Sequence, residues 1–202
     1  YISKDVENKM LEKFREISDN IDLLIFSDFS YGLLSETFIE NITTIAKERK
    51  IIIAADCQSS SQIGNLGKYN NCDLIFPTEK EARFQMRDEV SGLVVLAENL
   101  RSELNSRNVI LKLGGNGLIV HSYDAENNLL YDTEAIPALN NSPMDISGAG
   151  DSLITATSMS YALGKNIYLS SYLGSLMAAI QVSRKGNIPI KVDELIQAIN
   201  LE

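Results

Sequence analysis

The sequence predicts an α/β fold, a mostly parallel sheet with helices on both faces. Three observations carry this. Short apolar runs at 23–26, 51–55, 74–76 and 109–113 alternate with segments of helical spacing. Apart from Lys112 the runs are apolar throughout, as expected of strands covered on both faces. Polar residues gather just beyond them, where ligands of such sheets collect.

Each element has a local reason. Residues 4–18 place Val6, Met10, Leu11, Phe14 and Ile17 at helical spacing before Asn20 and Asp22 break the pattern. Leu23-Leu24-Ile25-Phe26 then reads as a buried strand, followed by the glycine-containing loop 27–32. Ser35 is placed to cap a helix over 35–48 carrying Phe38, Ile39, Ile42 and Ile45 on one face. Ile51 to Ala55 form the next strand, ending in Asp56. A loop or short helix follows through the serines at 59–61 to Gly64 and Gly67. Leu74-Ile75-Phe76 is a strand, and Pro77-Thr78-Glu79 opens a helix. A helix over 91–105 leads to the strand Val109–Leu113. The Gly114-Gly115-Asn116-Gly117 turn then closes an antiparallel hairpin onto Leu118-Ile119-Val120. From about 149 to 200 the chain reads as three helices, broken at Gly164 and at 186–189.

Composition removes several classes. The chain has 202 residues, 45% hydrophobic and 22% charged, with a formal net charge of −9. Disorder needs fewer apolar residues, and a nucleic-acid surface needs a basic balance. Cys57 and Cys72 form no CxxC and have no histidine at zinc spacing, so they read as buried thiols in a reducing, cytoplasmic compartment. The uncharged stretch 166–183 is interrupted by Ser170, Ser171, Ser175 and Gln181, which points to a buried helix rather than a membrane span. His121, the sole histidine, sits in apolar alternation and reads as a strand-end residue rather than part of a triad. The chain opens on Tyr1 rather than methionine, which suggests a processed or truncated product.

The informative segment is Asp145-Ile146-Ser147-Gly148-Ala149-Gly150-Asp151, which ends a loop and opens an apolar helix. Glycines at 148 and 150 let backbone N–H groups approach a ligand, and the helix N-terminus adds partial positive charge. Asp151 is placed to accept a proton from a hydroxyl attacking a phosphorus held in that cradle. A tight loop with a helix-stabilising acid is the competing reading of the same residues. No Walker A loop is present, because Gly164-Lys165 lacks the upstream glycine.

This segment resembles the Asp-Thr-x-Gly-Ala-Gly-Asp signature of the ribokinase-like (PfkB) carbohydrate kinases. Three further segments follow the family's order: Thr78-Glu79-Lys80-Glu81 resembles its Asn-x-x-Glu element, Lys112-Leu113-Gly114-Gly115-Asn116-Gly117 its Lys-x-Gly-x-x-Gly loop, and Ser183-Arg184-Lys185-Gly186 the segment bordering the adenine pocket. The Ser27-Asp28-Phe29-Ser30-Tyr31-Gly32 segment and the Leu-Ile-Phe-Pro strand end resemble the heptose-phosphate kinase branch, which makes ADP-heptose precursors.

The resemblance implies a ribokinase-like three-layer sandwich, present as its C-terminal two-thirds, without the upstream lid and sugar-binding element. It makes 1–202 an N-terminally truncated nucleotide-binding and catalytic domain. It implies phosphoryl transfer from ATP, assisted by Mg²⁺, to a sugar or sugar phosphate. Asp151 corresponds to the base, Gly148, Ala149 and Gly150 to the anion hole, and Glu81 to the acid that organises magnesium-bound water. Thr78, Lys112, Gly114, Gly117, Lys185 and Gly186 correspond to nucleotide contacts. From the residues alone, Glu81 reads as a surface helix acid and Lys112 as a strand lysine, while Asp28 and Asp56 end strands facing one crevice, open to ligand contact or to capping and loop hydrogen bonding. A homodimer in a full-length protein and a fused nucleotidyltransferase domain are further implications, and so is an isolated chain that binds ATP without turnover. Departures fall on the acceptor side. Ala55-Asp56-Cys57-Gln58 replaces Val-Asp-Pro-Lys/Asn, removing a cation, Thr78 replaces asparagine, and Ile146 replaces threonine.

Overall fold

The computed structural model describes residues 2–58, 64–124 and 129–201. The elements run α1 (Lys4–Ile17), β1 (Leu23–Asp28), α2 (Glu36–Glu48), β2 (Ile52–Cys57), β3 (Leu74–Ile75), α3 (Glu79–Met86), α4 (Leu93–Glu103), β4 (Asn108–Lys112), β5 (Leu118–Asp124), β6 (Leu129–Ile136), α5 (Ala149–Ala162), α6 (Ile167–Val182) and α7 (Val192–Leu201). The loop expected around the serines at 59–61 lies outside the described residues, as does Tyr1.

One six-stranded sheet takes the order β1-β2-β3-β4-β5-β6. The first four strands are parallel, and β5 and β6 add antiparallel. Alternate residues of the same strands feed two separate cores. Ile53, Ala55, Val109 and Leu111 pack with α1, α2 and α4 on one face. Ala54, Leu74, Ile110 and Val120 pack with α5 and α6 on the other. This is the three-layer arrangement that continuous apolar runs demand, each fully buried Leu or Ile contributing about 1.5–3 kcal/mol.

Helix starts follow side-chain caps. Ser3, Ser35, Thr78 and Asn166 each accept a backbone N–H in the first turn of α1, α2, α3 and α6. The helices α5 and α6 pack closely because Gly174 has no side chain: a Cβ there would lie 2.1 Å from Thr157 Oγ1 and 2.8 Å from the Leu153 carbonyl. The interrupted segment 166–183 is indeed a buried helix, its small polar Ser170, Ser171 and Ser175 facing inward.

Strand β6 was not expected. Its sequence, LLYDTEAI, mixes acids with apolar residues because it is the sheet's last strand, exposed along its outer edge. His121, fully buried on β5, is held by Thr133 Oγ1 at 2.7 Å and Glu98 Oε2 at 2.8 Å. Glu98 is also bonded by the Arg101 guanidinium at 2.7 and 2.9 Å, and these partners, Arg101 foremost, hold its carboxyl below the ordinary range. The histidine therefore belongs to a structural cluster that ties α4 to the antiparallel edge. No helix among the described residues is long and apolar enough to cross a membrane.

Candidate active site

The site is built at the carboxyl edge of the parallel strands. Asp56 is the last residue but one of β2, Thr78 follows β3 and Lys112 ends β4; Thr78 and Lys112 form an isolated parallel bridge. The turn after β4 places Gly114 at φ 58° with open space beside it, a conformation and a vacancy suited to glycine. Opposite stands the N-terminus of α5. Together these residues line a cavity of about 700 Å³ that includes Asp56, Gln58, Glu81, Lys112, Gly150 and Asp151.

Gly148 caps α5 in the left-handed region at φ 78°. A Cβ there would lie 2.2 Å from Asn187 Oδ1, so both conformation and packing require glycine. The Ala149 N–H is directed to the Ile146 carbonyl at 3.3 Å, while Ser152 N–H begins the helical ladder on Gly148 O at 3.0 Å. Between them, the N–H groups of Gly150 and Asp151 belong to the first turn, where a helix has no acceptor of its own to offer. A Cβ on Gly150 would enter the space between this turn and the facing strands, 3.9 Å from both Asp56 Oδ2 and Lys112 Nζ.

The charged groups form a chain. Lys112 Nζ donates to Asp56 Oδ1 at 2.6 Å. Gln58 Nε2 donates to Asp56 Oδ2 and to Asp151 Oδ1, each at 3.3 Å. Burial pushes the Asp56 carboxyl above its ordinary range, against the pull of Lys112, and the charge of Glu81 acts in the same upward direction as burial. Glu81 is held by a capping box: its Oε2 accepts the Thr78 N–H at 2.7 Å, and Thr78 Oγ1 accepts the Glu81 N–H at 3.2 Å.

The loop before α5 is clamped from behind. Asp145 accepts the N–H groups of Ser147 and Gly186, each at 2.9 Å. Gln181, 1% exposed, donates to Ser147 O, Gly186 O and Asn187 Oδ1. Gly186 thus anchors the loop rather than lining the cavity, and Lys185 is exposed in the same turn outside the lining. Gly117 lines the cavity but is required by packing, because a Cβ would lie 2.1 Å from the Ile136 carbonyl.

Asp28 does not face this crevice with Asp56. It is 3% exposed and enclosed by Lys68 Nζ at 2.6 Å, Tyr69 OH at 2.7 Å and the Ser30 N–H at 2.8 Å. Burial works to raise its pKa, but these donors outweigh burial and hold it below the ordinary range. Sequence reasoning missed Gln58 as a site residue. It also missed the wall contributed by Ser175, Ala178, Ala179 and Val182 of α6, which carry no local signal distinguishing them from helix core.

A parallel sheet whose carboxyl edge faces a glycine-opened helix N-terminus, with a carboxylate in its first turn, is an arrangement in which α/β enzymes collect their ligands. The chain belongs to the pfkB family of carbohydrate kinases, whose family model matches residues 2–193. Among curated proteins, it is 22% identical over 204 residues to the bifunctional protein HldE of Helicobacter hepaticus and 26% identical over 197 residues to that of Koribacter versatilis. These alignments cover 100% and 96% of this chain but 40% and 38% of the relatives. Among solved structures, Escherichia coli phosphofructokinase-2 in complex with substrates and products superposes with a TM-score of 0.78 at 17% identity, over 99% of this chain and 63% of that one. Thermotoga maritima ribokinase gives 0.71 at 22% identity, over 92% and 59%. The three-layer fold is thus ribokinase-like, and the chain spans about 40% of these curated relatives and about 60% of these solved structures.

Proposed function

We propose that this chain is the nucleotide-binding and catalytic part of an ATP-dependent kinase that phosphorylates a hydroxyl of a sugar phosphate, with a heptose phosphate as the acceptor. The single observation that carries the reading is the placement of Asp151 in the first turn of α5, beside the Gly148–Gly150 opening and across from Lys112. The curated relatives named HldE favour the heptose phosphate, and their description as bifunctional supports a fused second activity, a nucleotidyltransferase, in the whole protein.

In this mechanism the acceptor hydroxyl gives its proton to Asp151 as its oxygen attacks the γ-phosphorus of ATP. The new O–P bond forms as the bond to the β-phosphate oxygen breaks, and ADP leaves. The first-turn N–H groups of α5 and its dipole stabilise the charge on the transferring group. Lys112, oriented by Asp56, adds positive charge on the opposite side. Thr78, Gly114 and Gly117 border the nucleotide. The α6 residues Ala178, Ala179 and Val182 supply an apolar wall for the base.

The donor set suits Mg²⁺. Asp56, Glu81 and Asp151 put three carboxylates in the cavity with Lys112, so a polyphosphate needs a further cation there. Magnesium takes few carboxylates and keeps several waters, which fits Glu81 holding it through water while its other contacts stay with Thr78. When bound, Mg²⁺ supplies charge neutralisation of the phosphates.

The experiment is a coupled kinase assay with ATP·Mg²⁺ and heptose 7-phosphate, beside calorimetry with ATP·Mg²⁺ alone. Asp151→Asn is expected to lose at least about a hundredfold in turnover while retaining ATP binding. Unchanged turnover in that variant sinks the assignment of the base. Binding without turnover by residues 1–202 alone supports the reading in which this chain holds the nucleotide but does not complete the acceptor site.

A further inference from the structure

We infer that Gln58 is a positioning residue for the base, a clamp whose amide sets the orientation of Asp151. The inference rests on the kinase reading above and adds to it a residue outside the glycine segment. Nε2 of Gln58 carries two hydrogens and faces two carboxylate oxygens, Asp56 Oδ2 and Asp151 Oδ1, at 3.3 Å each. One NH₂ group therefore joins the end of β2 to the first turn of α5. The alternative amide orientation would turn an oxygen toward two carboxylates, so the direction of the group is decided by its neighbours.

The backbone of Gln58 is prepared for this. Its N–H donates to the Asp28 carbonyl at 2.8 Å, and its carbonyl accepts Ser30 Oγ–H at 3.1 Å. Ser30 is itself pinned by Asp28 Oδ1, within the enclosed Asp28–Lys68–Tyr69 cluster. The buried network that does not reach the cavity thus acts on it by fixing the residue that does. A double donor suits the position. A glutamate would bring another carboxylate to Asp56, Glu81 and Asp151, and a non-polar residue would leave the base without this donor. Hydrogen bonds at 3.3 Å are long for this pairing, as expected of a site that tightens when its substrates are in place.

The test is the split between kcat and KM in the full chain with ATP·Mg²⁺ and heptose 7-phosphate, beside thermal denaturation of each variant. Gln58→Ala is expected to lower kcat about tenfold or more, the scale of one hydrogen bond to a charged group, with the KM for ATP and the stability unchanged. Gln58→Glu should lower kcat further, because its carboxylate faces two others. Gln58→Lys, which keeps a donor to both carboxylates, should restore most of the turnover lost in Gln58→Ala. A KM for ATP that rises in step with the fall in kcat, or no recovery in Gln58→Lys, overturns the inference, even where kcat falls. Loss of turnover in Asp151→Asn with no effect of any Gln58 variant overturns it while leaving the kinase reading intact. Full turnover in Asp151→Asn removes the kinase reading itself.

Discussion

Lys112 Nζ and Asp56 Oδ1 lie 2.6 Å apart at the carboxyl edge of the sheet, with only 16% and 1% of their side-chain surfaces exposed. A cation and an anion so enclosed are each costly alone, and together they place positive charge beside the α5 N-terminus without leaving a bare buried charge.

Removing one partner exposes that dependence. Lys112→Met leaves Asp56 buried and unpaired, and a loss of about 3 kcal/mol is expected in urea denaturation at pH 7. The sign with pH follows from the raised Asp56 pKa. The folded state holds this proton more tightly than the unfolded chain, so the cost is present at neutral pH and relieved as pH falls through the folded value. Acidification toward pH 5 should narrow the gap from the parent, and Lys112→Met with Asp56→Asn should recover most of it.

Glu81 combines a capping role with the proposed magnesium role, and one substitution separates them. Glutamine satisfies a capping box as glutamate does, so Glu81→Gln should unfold within about 0.5 kcal/mol of the parent. The Mg²⁺ concentration for half-maximal turnover should rise about tenfold, because a carboxylate has left the cavity. A drop in stability with unchanged magnesium dependence would assign Glu81 to the helix start alone.

The two glycines of the cradle should fail differently. Gly148→Ala is strained by its φ of 78° and by Asn187 Oδ1 at 2.2 Å, so lower thermal stability is expected, by about 1–3 kcal/mol. Gly150→Ala meets only ordinary contacts at 3.9 Å, so it should fold normally. Its methyl group would enter the space proposed above for the anion, and ATP affinity measured by calorimetry should fall about tenfold or more.

Asp28 should govern acid stability. Its depressed carboxyl contributes stabilisation above the unfolded value of about 3.9, which is lost as pH falls through the lower folded value. Asp28→Asn should cost about 3–5 kcal/mol at pH 7, because Lys68 is left buried at 12% exposure without its partner. The difference from the parent should shrink when denaturation is repeated near pH 3.

Much of the fold was legible because its strands are apolar on both faces and its helices carry their own caps. Ser35 and Thr78 announced helix starts that the structure keeps. The glycine segment was legible for the same reason, since a left-handed Gly148 and a helix N-terminus are local features. Strand β6 was not, because an edge strand has one protected face and its acids dilute the pattern. Asp28 and Asp56 looked alike, both acids at strand ends. Lys68, which encloses the first, lies far along the chain, and so does Lys112, which pairs with the second.

By itself the sequence determined the layered α/β architecture, the helix starts at Ser35 and Thr78 and the order of motifs that places the chain among carbohydrate kinases. Those properties rest on periodicity, capping and backbone freedom, which act within a few residues. Only the tertiary structure decided which acids share a cavity, that Gly186 anchors a loop, and that Gln58 reaches both Asp56 and Asp151. Hydrogen bonds and ion pairs depend on ångström distances between segments far apart in the chain, and nothing in a local pattern encodes that separation.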